Sequence, residues 1–283
     1  MPVDSLARPR PRRSILYLPA NRESAIAKAR TLPADCVILD LEDAVQPAAK
    51  DAARDAALAA SNAGGWGTRE LLLRVNSLDT PWSAADFVAA RAGAFDAIVV
   101  PKIDSAAAAA RAVDLAGTIP VWAMIETPRG VIDAPAIAAV PGVNALLAGM
   151  ADLAKDLHAR PDAARTPLLY SLSAIVLAAR AAGKLAFDGV FTDIQDAAGF
   201  EAEARHGLRL GFDGKSLVHP SQVAPCNTVF SPSAADIAEA EGLIAAYEAG
   251  LASGAGVTTF KGKLVEVLHV AEAQRLLALL PSL

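Results

Sequence analysis

Cysteine is almost missing from this chain of 283 residues: Cys36 and Cys226 stand far apart. No disulfide framework can be built from them, and the pattern suits a reducing compartment, the cytoplasm. Aromatic residues are also scarce, at 5%, so alanine, leucine and valine must fill the core. No stretch reaches the ~18 to 20 uninterrupted apolar residues needed to span a bilayer, and a membrane protein is not expected. Positive charge is not in excess. The net charge of −5 argues against nucleic acid as the main partner, because phosphate backbones are met by basic surfaces. No Cys/His set has zinc spacing, and no glycine-rich dinucleotide fingerprint follows the first apolar run. Residues 1–13 carry Arg8, Arg10, Arg12 and Arg13 between prolines with no apolar stretch behind them. They read as a disordered basic arm and not as a secretory signal.

Apolar residues, by contrast, make up 53% of the chain and charged ones 20%, enough for one barrel-sized domain of about 250 residues. Val121–Gly130 (Val-Trp-Ala-Met-Ile-Glu-Thr-Pro-Arg-Gly) organises the rest. Five apolar residues form a short strand buried on both faces, as in parallel sheets. The strand ends on Glu126, and Thr127, Pro128 and Gly130 then open a helix. An acid in that position either caps the helix or belongs to an active site, since α/β folds place their chemistry at the carboxyl ends of parallel strands.

The same grammar recurs. Short apolar runs at 14–19, 36–41, 71–75, 97–100, 121–125, 143–147, 185–187 and 214–218 are separated by helical sequence. Eight strands alternating with helices predict a (β/α)8 TIM barrel over 14–230; a doubly wound open sheet is the alternative. Beyond it, 231–283 reads as a long helix, a joint at Gly250, Ser253, Gly254 and Gly256, and a terminal strand-and-helix piece that is either a lid or a helix docked on its own barrel.

Reading only the strand ends collects Glu42, Asp43, Arg74, Lys102, Glu126, Asp152 and His219. Four acids at one mouth would repel one another and raise one another's pKa values, and a divalent cation resolves this. Glu126 and Asp152 end adjacent strands, and two protein carboxylates with water and substrate in the remaining positions is a common way to bind Mg2+. Arg74 can fork onto a substrate carboxylate. Lys102 is a possible Schiff-base nucleophile, but pairing with Glu42 or Asp43 is the preferred reading. His158, His206 and His269 fall in helical sequence, and His219-Pro220 reads as structural.

The stretches Arg13–Pro19, Asp40–Val45, Arg74–Asn76, Pro101–Lys102, Ile125–Thr127, Gly149–Leu153 and Gly211–Pro220 resemble, in order, those of the HpcH/HpaI aldolase and citrate lyase beta-subunit family. The resemblance implies a Mg2+-dependent carbon–carbon lyase on a (β/α)8 barrel, assembled as a homotrimer or hexamer and acting on citryl-, malyl- or citramalyl-CoA. It implies that Glu126 and Asp152 hold the metal. Arg74 and the backbone amides of Ala151 and Asp152 would hold the keto-acid carboxylate, with Lys102 also at the substrate. Glu42 and Asp43 would order water on the metal together with Arg74 or Lys102, and Arg22 and Lys28 would meet the CoA phosphates. Where relatives carry Gly-Lys-Met-Ile-Asp on a C-terminal lid, this chain reads Gly262-Lys263-Leu264-Val265-Glu266, so the catalytic lid acid becomes Glu266, one methylene longer. The expected reaction is retro-Claisen cleavage to a keto acid and acetyl-CoA. A class II pyruvate aldolase without CoA, a Schiff-base aldolase, or a subunit of a citrate-lyase-type complex are the alternatives.

Overall fold

The computed structural model describes residues 10–253 and 257–278. The chain divides into two compact units, one formed by Arg12–Phe230 and one that takes in the chain from Ser231 onward. In the first unit, β1 (Ser14–Pro19), β2 (Cys36–Asp40), β3 (Glu70–Arg74), β4 (Ala97–Val100), β5 (Val121–Ile125), β6 (Val143–Ala148), β7 (Leu185–Asp188) and β8 (Gly214–Leu217) close into a barrel in sequence order. Each pairs in parallel with the next, and β1 pairs with β8. Around them lie α1 (Glu23–Ala29), α2 (Lys50–Asn62), α3 (Ser83–Ala92), α4 (Ala106–Ala116), α5 (Pro128–Ala138), α6 (Met150–Asp156), α7 (Leu169–Ala181), α8 (Ala197–Leu210) and α9 (Val223–Val229). The architecture is the TIM barrel expected.

Both faces of the strands are buried, which is why they read as unbroken apolar runs. Leu16, Val37, Leu39, Leu71, Leu73 and Ile98 pack outward in the larger core shared with the helices, while Ile15, Ile38, Leu72, Val99, Trp122, Leu147 and Phe187 fill the barrel. Trp122 and Phe187 stack there at 4.6 Å between ring centroids, so two of the few aromatics occupy its centre. Side chains alternate along a strand with period two. Continuing the inward set by one step carries Ile15 to Tyr17, Ile38 to Asp40, Leu72 to Arg74, and Met124 to Glu126. The parity that fills the barrel thus delivers polar groups to its carboxyl mouth.

At the opposite end, Arg12 grips Glu70 through Nε and Nη2 (2.7 and 2.6 Å), and Arg13 grips Asp35 through Nε and Nη2 (2.8 and 2.9 Å). Arg12 and Arg13, expected within the disordered basic arm of residues 1–13, are instead anchored by the buried Glu70 and the half-buried Asp35. The arm's residues 1–9 lie outside the described residues.

In the second unit, Ser233 and Asp236 form a reciprocal capping box at the start of α10 (Ala234–Ala252). A hairpin of β9 (Thr258–Phe260) and β10 (Lys263–Val265) turns on Lys261 and Gly262, both at positive φ, as a two-residue turn requires. α11 (Val267–Ala278) follows. Gly254 and Gly256 of the expected joint lie outside the described residues. No helix among the described residues is long and apolar enough to cross a membrane.

Candidate active site

A cavity of about 380 Å³ opens at the carboxyl mouth of the barrel, lined by residues that include Tyr17, Asp40, Asp43, Arg74, Glu126 and Asp152. Each polar group arrives there for a local reason. Glu126 follows the last residue of β5, and the helix after it is capped by Thr127, whose Oγ1 accepts the Gly130 N–H at 3.0 Å. Thr127 takes the capping role that the sequence left open for Glu126, and the carboxylate is left to the cavity. Pro101 ends β4 and Lys102 sits in the left-handed region at φ 55°, a conformation that costs a non-glycine residue about 1 kcal/mol or more. That turn aims the Lys102 N–H at Glu126 Oε1, 2.8 Å away. Gly149, at the end of β6, has no room for a side chain: a Cβ would land on Glu126 Cβ and 2.5 Å from Oε2. Asp152 lies in the first turn of α6, whose leading N–H groups have no acceptor within the helix and face anions favourably.

Arg74 is 7% exposed and surrounded by acid. Its Nε and Nη2 donate to Asp40 Oδ1 and Oδ2, both at 2.7 Å, while Nη1 lies 2.8 Å from Glu42 and 3.6 Å from Asp43. Its guanidinium sits over the Tyr17 ring. The fork that the sequence reserved for a substrate carboxylate is therefore occupied by Asp40, and only the Nη1 edge is turned toward other groups. Asp40 accepts two further bonds, from the N–H groups of Glu42 and Ala44, which fold the β2–α2 loop around it.

Glu42 bridges the two cations, with Oε1 3.2 Å from Lys102 Nζ. Its Oε2 is ion-paired with Arg74 Nη1 at 2.8 Å but off the line of an N–H bond, so this buried oxygen accepts no hydrogen bond among the described residues. Burial raises the Glu42 carboxyl against the pull of Arg74. Burial, then Glu42, pushes Glu126 up to about 8, with the Lys102 N–H opposing and Asp152 adding. Burial lowers the Lys102 ammonium, but the neighbouring Glu42 outweighs it and holds it above the ordinary lysine value. The ion pair with Glu42 is the role the geometry gives Lys102, in preference to that of a Schiff-base nucleophile.

Asp40, Glu42, Asp43, Glu126 and Asp152 against Arg74 and Lys102 leave an excess of negative charge in a partly dry mouth. A small divalent cation fits this donor set. Glu126 is crowded by like charge, Glu42 Oε2 accepts no hydrogen bond from the described residues, and all the groups are hard oxygens. Glu126 and Asp152 would be its protein ligands; among the described residues no group of three or more His, Cys, Asp and Glu converges on one point.

The remaining expected residues fall elsewhere. Arg22 and Lys28 are exposed at the start and last turn of α1. Glu266 is exposed just ahead of α11, its N–H bonded to His269 Nδ1 at 3.0 Å. His219 is structural: its Nδ1 accepts the Ser221 N–H and caps a single helical turn. His158 lies in a turn at φ 52° rather than in a helix. Sequence reasoning passed over Asp40, Tyr17 and the buried Lys50, whose Nζ donates to the Leu41 and Glu42 carbonyls at 2.7 Å and pins the loop that carries Glu42.

The HpcH/HpaI aldolase/citrate lyase family profile matches residues 13–220. Among characterised proteins, the chain is 42% identical over 268 residues to the (3S)-malyl-CoA thioesterase of Cereibacter sphaeroides (strain ATCC 17025 / ATH 2.4.3), covering 95% of this chain and 94% of that one. It is 35% identical over 296 residues to the L-malyl-CoA/beta-methylmalyl-CoA lyase of the same strain, covering 94% and 93%. Among solved structures, protein CitE from Mycobacterium tuberculosis, in complex with magnesium, acetoacetate and coenzyme A, superposes with a TM-score of 0.77 at 33% identity, over 94% of this chain and 96% of that one.

Proposed function

The chain belongs to the HpcH/HpaI aldolase/citrate lyase family, a family of carbon–carbon lyases, and we propose that it cleaves a 2-hydroxy-acid thioester of coenzyme A to a keto acid and acetyl-CoA with the help of Mg2+. Malyl-, citramalyl- and citryl-CoA are the candidate substrates. The observation that carries the reading is the gathering of Glu126, Asp152, Arg74 and the first turn of α6 around one cavity, beside the magnesium and coenzyme A of the CitE complex.

Glu126 and Asp152 would hold the cation, which when bound makes the substrate hydroxyl more acidic and offsets the charge of its carboxylate. The substrate carboxylate is met by the N–H groups of Ala151 and Asp152 at the positive end of α6 and by the Nη1 edge of Arg74. The proton of the 2-hydroxyl leaves to a base, for which Glu42, whose carboxyl is raised by burial against the pull of Arg74, is the candidate. The C2–C3 pair then moves into the thioester enolate as the C2 carbonyl forms. Lys102, held cationic beside Glu42, and Arg74 balance negative charge as it moves, which is commonly the largest catalytic effect. Asp43 tethers the outer side of Arg74. Glu266, on the terminal unit, takes the role of proton donor to the enolate carbon, and Arg22 and Lys28 meet the CoA phosphates. A cytoplasmic homotrimer or hexamer, in which 231–283 acts as the lid, completes the proposal.

The 42% identity to a malyl-CoA thioesterase favours one rival, hydrolysis of the thioester at the same site. Product analysis separates the two. Malyl-CoA incubated with the purified chain and Mg2+ is expected to give glyoxylate and acetyl-CoA in equal amounts. Malate and free CoA with no acetyl-CoA would establish the thioesterase instead.

A further inference from the structure

Behind the cavity wall, at β7 and β8, lies a group of charges for which the proposed reaction has no use. Lys215, on β8, is 0% exposed, as is Asp188 at the end of β7; Arg165 is 4% exposed. Lys215 Nζ donates to Asp188 Oδ2 at 3.2 Å, to Glu203 Oε1 of α8 at 2.7 Å and to the Gly189 carbonyl at 2.5 Å. Arg165, which adopts φ 55° to reach in, donates to both Asp188 oxygens at 2.7 and 2.9 Å. Two cations and two anions balance, as burial demands. Gly207 of α8 is cut back to make room, since a Cβ there would lie 2.5 Å from Asp188 Oδ2.

Only one of the three acceptors of Lys215 is a backbone group, and it leads to the cavity. Gly189 has its N–H on Asp188 Oδ1 (2.8 Å) and its carbonyl on Lys215, so the peptide groups on both sides of its Cα are held. A Cβ at Gly189 would strike Met150 Cγ and come within 2.9 Å of the Ala148 carbonyl; the bare backbone is the surface on which Met150 rests. Met150 and Val190, on either side of this contact, both line the cavity, together with Ser216, whose Oγ donates to the Asp188 carbonyl at 3.0 Å. Met150 opens the same helical turn whose amides would receive the substrate carboxylate. Its side chain lines the cavity beside that turn.

We propose that Lys215 is a positioning residue which, through the Gly189 carbonyl, fixes the Met150–Val190 wall, and that this wall selects the substituent on C2 of the substrate. The positioning half stands on the geometry alone, and the selectivity half rests on the function proposed above. Malyl-CoA carries hydrogen at that carbon and citramalyl-CoA a methyl, so a wall held to within a methyl group can tell them apart by roughly 10-fold or more.

The test compares wild type, Lys215→Met and Val190→Ala for amide hydrogen exchange over residues 188–191, the ratio of kcat/KM values for the two thioesters, and Mn2+ affinity. Lys215→Met keeps the length of the side chain and removes the ammonium. It is expected to speed exchange over 188–191 at least tenfold and move the ratio at least fivefold, in the same direction as Val190→Ala, with Mn2+ affinity within twofold of wild type. A folded Lys215→Met protein with both exchange and ratio within twofold of wild type overturns the proposal, and an unmoved ratio in Val190→Ala overturns its selectivity half. Should Lys215→Met not fold, Glu203→Gln, which weakens one of the three Nζ contacts at a partly exposed site, must shift exchange over 188–191 at least threefold, or the positioning is refuted. If wild type cleaves neither thioester, the proposed function fails by itself and the exchange data still decide the positioning.

Discussion

Asp40→Asn is the perturbation that the site geometry constrains most tightly. The substitution keeps the volume and removes one charge from a pair in which Asp40 is 1% and Arg74 7% exposed. Two bonds of 2.7 Å lose their ionic character. The new amide can also present a donor to the guanidinium, which has only donors to offer. Charge-assisted bonds of this kind contribute about 1.5–3 kcal/mol each, and stranding one member of a buried pair costs about 3–5 kcal/mol. Arg74 keeps Glu42 at 2.8 Å, which limits the loss to the lower part of that range. At about 2–4 °C per kcal/mol for a domain of this size, the melting temperature should fall by about 6–12 °C. A double-mutant cycle with Arg74→Met, followed by urea denaturation, isolates the pair. The double variant should be more stable than the sum of the single losses by about 2 kcal/mol or more, because removing both charges leaves neither stranded. Additive losses, or an Asp40→Asn protein within about 0.5 kcal/mol of wild type, would refute the claim that Asp40 holds Arg74.

Three further outcomes follow from particular contacts. Gly149→Ala pushes a methyl into Glu126, and titration calorimetry should find Mg2+ affinity lowered at least tenfold; unchanged affinity would mean that Glu126 does not need its present position. Thr127→Ala removes the cap of α5 and should cost about 1 kcal/mol of stability while leaving kcat within threefold, whereas Glu126→Gln should abolish turnover; equal losses of activity would return Glu126 to a capping role. Burial alone would raise the Asp188 carboxyl, but Lys215 and Arg165 outweigh it and hold it below its ordinary value. A depressed acid contributes stability that is present above its unfolded value of about 3.9 and is lost as pH falls below it. The unfolding free energy of wild type should therefore drop more steeply below about pH 4 than that of Asp188→Asn, as denaturant titrations at several pH values would register; parallel curves would contradict the assignment.

The barrel was legible because its strands are buried on both faces: an unbroken apolar run such as Val121–Ile125, closed by an acid, has few other readings. Helix bounds were also accessible where a cap marks them, as at Ser105 before α4, whose Oγ accepts the Ala108 N–H. Glu42, Glu126 and Asp152 could be picked out because each stands just beyond a strand. Asp40 escaped because it is the last residue of its strand, where an inward-facing acid looks like any other strand residue until Arg74 is seen across from it. Lys215 escaped for a similar reason: lying within β8, it reads as a polar interruption. Its partner Glu203 comes from a helix, and Arg165, which shares Asp188 with it, from a loop, and periodicity connects neither to it. Arg74 shows the limit of reasoning by residue type. A guanidinium at a strand end suggested a free fork, and only the register of β2 against β3, Asp40 opposite Arg74, reveals that the fork is taken.

The most direct test of the site is Mn2+ binding, followed by electron paramagnetic resonance, to wild type, Glu126→Gln and Asp152→Asn. Wild type should take up one ion per chain, and each variant should bind at least a hundredfold more weakly while keeping its fold by circular dichroism. Undiminished binding in both variants would contradict the assignment of these two carboxylates to the metal, and with it the proposed lyase mechanism.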